Sequence, residues 1–226
     1  MLNKKPKIFC IIPAFNEQKN IAKVLAQVKP IVDEVVVVDD GSTDKTAQIA
    51  AQAGVIVLRH FFNRGQGAAL ETGNQYALSK GADIIVHFDA DGQFLAQEIK
   101  DIVKPIKAGE AQIVFGSRFL EKKSSIPKFK KYILLPIARL VNYLLLGVRF
   151  SDPQSGFRAF SRQAAQKIKI ENDGMAHCSE ILAKALKSGY KIKEVPITVI
   201  YHHFGQRLGG GVRIVKDLIL ARLLLK

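Results

Sequence analysis

Residues Glu34–Asp39 read Glu-Val-Val-Val-Val-Asp, and this unbroken valine run limits the chain more than any other stretch. Valine is stiff at χ1 and fits a pleated strand. A strand with one wet face alternates apolar and polar residues, so a continuous run predicts a strand covered on both faces. Such strands belong to sheets built from β-α crossovers, and the flanking sequence supplies the units. An apolar run at 8–13 reads as the first strand. Asn16 is placed to cap a helix ending near Val28, with Ile21, Val24, Leu25 and Val28 on its apolar stripe. Ser42 is placed to cap a helix over 43–53, before a strand at 55–58. A helix at 67–79, a strand at 84–89, a helix at 98–108 and a strand at Ile113–Ser117 continue the alternation. Later, 178–188 reads as a helix and 195–201 as a strand. The expected fold is α/β, a Rossmann-like, mainly parallel sheet flanked by helices.

Open α/β sheets bind ligands at the carboxyl ends of their strands. There the chain turns into Asp89-Ala90-Asp91-Gly92-Gln93. Residues i and i+2 of an extended segment point the same way, so Asp89 and Asp91 share a side. Two carboxylates and a Gln carbonyl are hard oxygen donors suited to Mg²⁺ or Mn²⁺, with phosphate oxygens completing the shell. The same spacing also occurs in plain surface turns. A nicotinamide-binding domain is excluded, because the turn after the first strand is Pro13-Ala14-Phe15-Asn16-Glu17 and has no glycine. The Asp39-Asp40-Gly41-Ser42 turn fits either a nucleotide contact or an ordinary capped strand-to-helix turn. Gly65-x-Gly67 after Arg64 fits either a phosphate cradle at a helix start or a tight turn for close packing. The five histidines have no metal-ligand spacing, and His87 inside a strand reads as a satisfied core residue.

A length of 226 residues suits one domain over 1–226, made of two halves, 1–117 and 118–226. Cys10 and Cys178 read as small buried hydrophobes, with no disulfide framework or zinc site. The first residues contain no long apolar stretch of a signal peptide, so a reducing cytoplasm is the expected compartment. Charge is uneven. Residues 1–117 hold 13 Lys/Arg against 13 Asp/Glu, and the entire net charge of +14 lies beyond them. Segment 118–150 holds 8 Lys/Arg against 1 acid. Within it, 133–148 has helical apolar spacing but is short and carries Pro136 and Arg139. That pattern predicts an amphipathic helix, lying in a membrane interface or packed on the domain's own core. Residues 212–226 read as a second short basic amphipathic helix. An aliphatic helix amid the cations, rather than an aromatic stacking platform, argues for an anionic membrane surface over nucleic acid.

Six ordered motifs carry a family resemblance: Pro13-Ala-Phe-Asn-Glu17, Val38-Asp-Asp-Gly-Ser-Thr-Asp44, Asn63-Arg-Gly-Gln-Gly-Ala-Ala-Leu70, Asp89-Ala-Asp-Gly-Gln93, Gly116-Ser-Arg118 and Asp152-Pro-Gln-Ser-Gly-Phe-Arg158. They resemble the family 2 glycosyltransferases, and within them the polyprenyl-phosphate sugar synthases such as the dolichyl-phosphate mannose synthases. The match runs from about Lys7 to Arg213. It implies a GT-A fold and a metal-assisted, inverting transfer from a nucleotide-diphosphate sugar to a polyprenyl phosphate at the cytoplasmic membrane face. It implies a nucleotide-sugar site of Pro13, Phe15, Glu17, Val38, Asp39, Asp40, Arg64, Asp89, Ala90, Asp91, Gln93 and Arg207. The metal falls to Asp89, Asp91 and Gln93, and the acceptor phosphate to Arg118, Ser155, Arg158 and His202. Asp91, Arg118 and Arg158 are the expected catalytic residues. The late run His202-His203-Phe204-Gly205-Gln206-Arg207 departs from the family, with histidine where arginine is usual.

A phosphate monoester, whose second pKa is near 6, is already largely ionised at neutral pH and needs no protein base. Two other expectations stand beside this one. Transfer to a sugar hydroxyl would need a base, for which Glu180 and Asp152 are candidates, and a nucleic-acid-binding protein would also carry net positive charge.

Overall fold

The structure, a computed structural model, describes residues 5–120, 150–174 and 176–200. The helices expected at 133–148 and 212–226, together with His202 and Arg207, lie outside the described residues.

Seven strands form one sheet: β1 (Ile8–Ala14), β2 (Glu34–Asp39), β3 (Ile56–Arg59), β4 (Ile84–His87), β5 (Ile113–Ser117), β6 (Arg158–Ser161) and β7 (Ile192–Pro196). Their order across the sheet is β3-β2-β1-β4-β6-β5-β7. The pairs β1–β2, β1–β4, β2–β3 and β5–β7 are parallel, so six strands share one carboxyl edge. Only β6 runs the other way, antiparallel to both β4 and β5. The valine strand lies inside the sheet, between β3 and β1, and its four valines are buried, as a doubly covered strand requires.

Helices α1 (Ile21–Val28), α2 (Thr46–Gln52), α3 (Gln66–Ser79), α4 (Ile99–Lys107), α5 (Arg162–Lys167) and α6 (His177–Lys187) cover the sheet. One apolar layer joins Ile21, Leu25, Ile99 and Ile102 to the strand residues Cys10, Ile12, Val37 and Val86. The other joins Leu70, Ala77, Ile181 and Leu182 to Ile11, Val36, Ile85 and Phe115. Period-2 alternation in each strand divides its side chains between these layers. Each fully buried aliphatic or phenyl side chain contributes roughly 1.5–3 kcal/mol of transfer free energy.

Several local expectations need correction. Asn16 does not cap α1; it sits in the left-handed region at φ 57, and its Oδ1 accepts from the Thr43 amide at 3.0 Å. The Ser42 hydroxyl accepts from the Asn16 amide at 2.9 Å instead of capping α2. Both side chains fasten the β1 turn to the β2 turn. The late strand ends at Pro196; beyond it Val199 forms an isolated antiparallel bridge with Phe94. The sequence does not announce β6 and α5, since a four-residue strand that opens on arginine offers no alternation to read.

Candidate active site

The parallel strands release their loops along one edge, and the acids of the Glu17, Asp39-Asp40 and Asp89-Asp91 motifs gather there. Phe15 and Glu17 follow β1, Asp39 ends β2, Asp40 follows it, and Asp89, Asp91 and Gln93 follow β4. Arg118 follows β5, and Ser155 and Arg158 lie where the chain enters β6, opposite His87. Pro13, Val38 and Ala90 are buried beneath these loops.

Asp89 accepts from Gln66 Nε2 at 3.0 Å, and Gly156 packs on its carboxylate so closely that a Cβ there would lie 2.6 Å from Oδ2. Burial and the adjacent Asp91 charge push the Asp89 carboxyl up to about 6, against the pull of Arg158, His177 and Gln66. Two carboxylates close enough to repel fit a divalent cation, and Asp91 is held in its own turn by the Gln93 amide at 2.9 Å. No cluster of three or more His, Cys, Asp or Glu side chains stands ready to hold a metal among the described residues. The donor set is therefore of the sparse kind that phosphate oxygens complete. Segment 197–200 closes over this turn, with the Ile200 amide donating to the Gln93 carbonyl at 2.9 Å.

The resemblance puts Arg158 on the acceptor phosphate, but the structure places it elsewhere. It has no exposed surface, and none of its three side-chain nitrogens makes a hydrogen bond. It lies in the α3–α6 layer, 5.8 Å from the Phe115 ring centroid. Burial alone would raise the Cys178 thiol, yet the Arg158 charge, together with His177, brings it down to about 7. Cys178 Sγ is 3.4 Å from His177 Nε2. Both cysteines are free and buried, but only Cys10 has the purely apolar character expected of them; there burial pushes the thiol well up. His87 is a core residue, bonded to Asn74 Oδ1 at 2.8 Å and held neutral by burial and the Arg158 charge. A buried polar column thus stands directly under Asp89. The sequence signal for it is slight, since its members lie on β4, β6 and α6.

Arg118 grips Asp152 bidentately, Nε to Oδ2 at 2.6 Å and Nη2 to Oδ1 at 2.7 Å. Asp152 is itself buried. Ser117 and Ser151 hydroxyls meet at 2.5 Å, and Glu194 accepts from the Ser151 amide at 3.0 Å and the Asp152 amide at 3.2 Å. Burial raises the Glu194 carboxyl despite those bonds. Ser155 is buried, with its hydroxyl unpartnered.

Asp40 is committed to structure. Its carboxylate accepts from the Arg64 and Gly65 amides at 2.9 and 2.7 Å and meets His60 Nδ1 at 2.7 Å. Asp39 is fully buried, and its carboxylate makes no hydrogen bond but lies 3.0 Å from Arg59 Nε. Glu17 remains partly exposed and accepts from Asn20 at 2.8 Å. The glycine turn is a packing device. The Gly67 amide donates to the Asp173 carbonyl at 2.7 Å, and a Cβ on Gly67 would collide with the Asn172 carbonyl. Arg64 reaches toward Asp173, at 4.0 Å. Glu180 secures the same loop, accepting from the Glu171 and Asn172 amides at 3.0 and 2.8 Å and pairing with Lys184 at 2.6 Å.

With this geometry in place, similarity to known proteins adds a separate line of information. The model of "Glycosyl transferase family 2" matches residues 9–169. The UDP-N-acetylglucosamine–dolichyl-phosphate N-acetylglucosaminyltransferase of Methanococcus voltae is 34% identical, over 97% of this chain and 96% of that protein. The polyprenol monophosphomannose synthase of Mycolicibacterium smegmatis is 30% identical, over 86% of this chain and 78% of that protein. Among solved structures, glucosyl-3-phosphoglycerate synthase from Mycobacterium tuberculosis, in complex with Mn²⁺, UDP and phosphoglyceric acid, superposes with a TM-score of 0.72. That match covers 97% of this chain and 78% of the other at 22% identity, a likeness of fold, and the fold is GT-A.

Proposed function

The chain belongs to glycosyl transferase family 2 and is a glycosyltransferase, and from that premise we propose that it transfers one sugar from a nucleotide-diphosphate donor to a polyprenyl phosphate at a membrane surface. Two relatives named for dolichyl or polyprenol phosphate chemistry support the acceptor class. The observation that carries the reading is the engagement of the two carboxylates a hydroxyl acceptor would need as base. Asp152 is locked in a bidentate pair with Arg118, and Glu180 is spent on two amides and Lys184. An acceptor that arrives ionised requires neither.

In this mechanism the donor lies across the ends of β1, β2 and β4. Phe15, 44% exposed, and Glu17 face the nucleoside, and Asp39 becomes available once Arg59 moves aside. Asp89, Asp91 and Gln93 would hold Mg²⁺ or Mn²⁺, which when bound supplies positive charge to the leaving diphosphate. Arg118, oriented by Asp152, supplies positive charge to the acceptor phosphate. Arg158 acts from below, keeping Asp89 ionised against its burial and its neighbour.

The test is a screen of radiolabelled nucleotide sugars with undecaprenyl and dolichyl phosphate, scored by partition into chloroform. Label in the lipid phase, dependent on the acceptor phosphate, is the expected outcome. Label transferred only to water-soluble sugar hydroxyls would overturn the reading.

A further inference from the structure

We propose that the carboxyl edge of the sheet is itself the membrane-contact face, with Phe61 and Phe62 as its insertion point at the headgroup–acyl boundary. This rests on the membrane-surface reading above and adds where the protein touches the bilayer.

The observation is one of placement. Among the described residues the exposed large hydrophobics are Phe15 (44%), Phe61 (105%), Phe62 (69%), Leu120 (45%) and Ile200 (40%). They follow β1, β3, β5 and β7, all at strand carboxyl ends. The opposite edge carries none of them. Chance placement would scatter such side chains over the surface, and isolated ones need no explanation. Phe15 faces the donor nucleoside in the reading above; the other four on a single edge, around the Asp89–Asp91 turn, need one. β3 and β7 are the outermost strands, six intervals apart, so the apolar points span roughly 29 Å at the usual strand spacing.

Phe61 and Phe62 are the most exposed of the five, and their loop is held in place. The His60 amide donates to the Asp39 carbonyl at 2.9 Å, and the His60 ring is clamped between Asp40 at 2.7 Å and Thr72 at 2.9 Å. Asp40 then grips the Arg64 and Gly65 amides. Two phenyl groups are thus presented to solvent between Arg59 and Arg64, whose side chains are 60% and 47% exposed. Aromatic rings flanked by cations match the chemistry of an anionic membrane interface. Leu120 and Phe150, the described residues on either side of the basic sequence 121–149, also lie by this edge, after β5 and before β6. A bilayer laid on the edge brings headgroup phosphates level with the two aspartates, where the acceptor phosphate must arrive.

The chain contains no tryptophan, so Phe61→Trp installs a single fluorescent reporter in the full-length protein. The control is Ala108→Trp, at the exposed end of α4 on the opposite edge. Vesicles of equal parts phosphatidylglycerol and phosphatidylcholine are added, with and without bromine on the acyl chains. We expect the emission of Phe61→Trp to shift blue and to be quenched by the bromines, and that of Ala108→Trp to stay unchanged. Phe61→Ser/Phe62→Ser should keep the melting temperature but bind vesicles at least about tenfold more weakly. Vesicle binding by the wild type, with unshifted emission from Phe61→Trp and an unimpaired double variant, would overturn the proposal and leave the membrane reading standing. Failure of the wild type to bind any vesicle would overturn both. A blue shift that depends on protein concentration without lipid would assign the patch to a second copy and also overturn it.

Discussion

A guanidinium with no exposed surface and no hydrogen bond needs counter-charge, and for Arg158 the fold supplies a thiol, Cys178, and a carboxylate, Asp89. Burial opposes ionisation of the Cys178 thiol, but Arg158 and His177 outweigh it and bring the thiol from its ordinary 9.0 to about 7. A depressed acid stabilises the fold in its ionised form. That contribution is complete above about 9 and is lost as pH falls through about 7. The stability difference between wild type and Cys178→Ala should therefore shrink from pH 9 to pH 6, measured by urea midpoint. Thiolate absorbance should titrate near neutrality in the wild type and well above it in Arg158→Met. Asp91 carries a second prediction. Asp91→Asn should cut transfer by about a hundredfold or more while leaving the fold intact, and chelator should do the same to the wild type. Undiminished transfer in chelator would remove the metal from the mechanism. Asp89 and Asp91 are legible in the sequence because a strand's end sets their direction. The place of Arg158 is not, since its neighbours are remote in the chain.

Elements meet in this molecule through loops that accept from one another's amides. The turn into α3 admits segment 172–173 because Gly67 has no side chain. Gly67→Ala should destabilise by about 1–3 kcal/mol by overpacking, read from thermal melting. Intact stability with a raised donor KM would instead restore the phosphate-cradle role. The Arg118–Asp152 pair ties the end of β5 to the entry of β6. Asp152→Asn should lose about 1.5–3 kcal/mol of this charged contact and lower kcat/KM for the acceptor, with the shape of the pH–rate profile retained. Loss of a limb of that profile would mark Asp152 as a base. Parallel β-α units are legible because period and length separate strand from helix in each. β6 is not, because four residues cannot establish a period. The two expected caps fail for a related reason. Asn16 and Ser42 have the right chemistry, but tertiary partners across the loop compete for it.

The whole sheet separates two tasks. Its interior layers hold the edge loops in register, and its carboxyl edge gathers acids, arginines and exposed phenyl groups on one side. The fold class follows from the valine run and the alternation around it, whereas that apolar edge emerges only when four loops distant in sequence are brought side by side. The clasp of Ser117 and Arg118 with Ser151 and Asp152, backed by Glu194, has a consequence at this scale. Ser117 and Arg118 stand just before segment 121–149 and Ser151 and Asp152 just after it, so the clasp holds the end of β5 to the entry of β6 by hydrogen bonds of its own. Replacing those 29 residues with a short Gly/Ser linker should leave the melting temperature within a few degrees of wild type, because closing a flexible loop depends only weakly on its length. In mechanical terms the clasp is a hasp: a pull on the chain from beyond Leu120 or before Phe150 meets a doubly bonded arginine–carboxylate pair before it reaches the sheet.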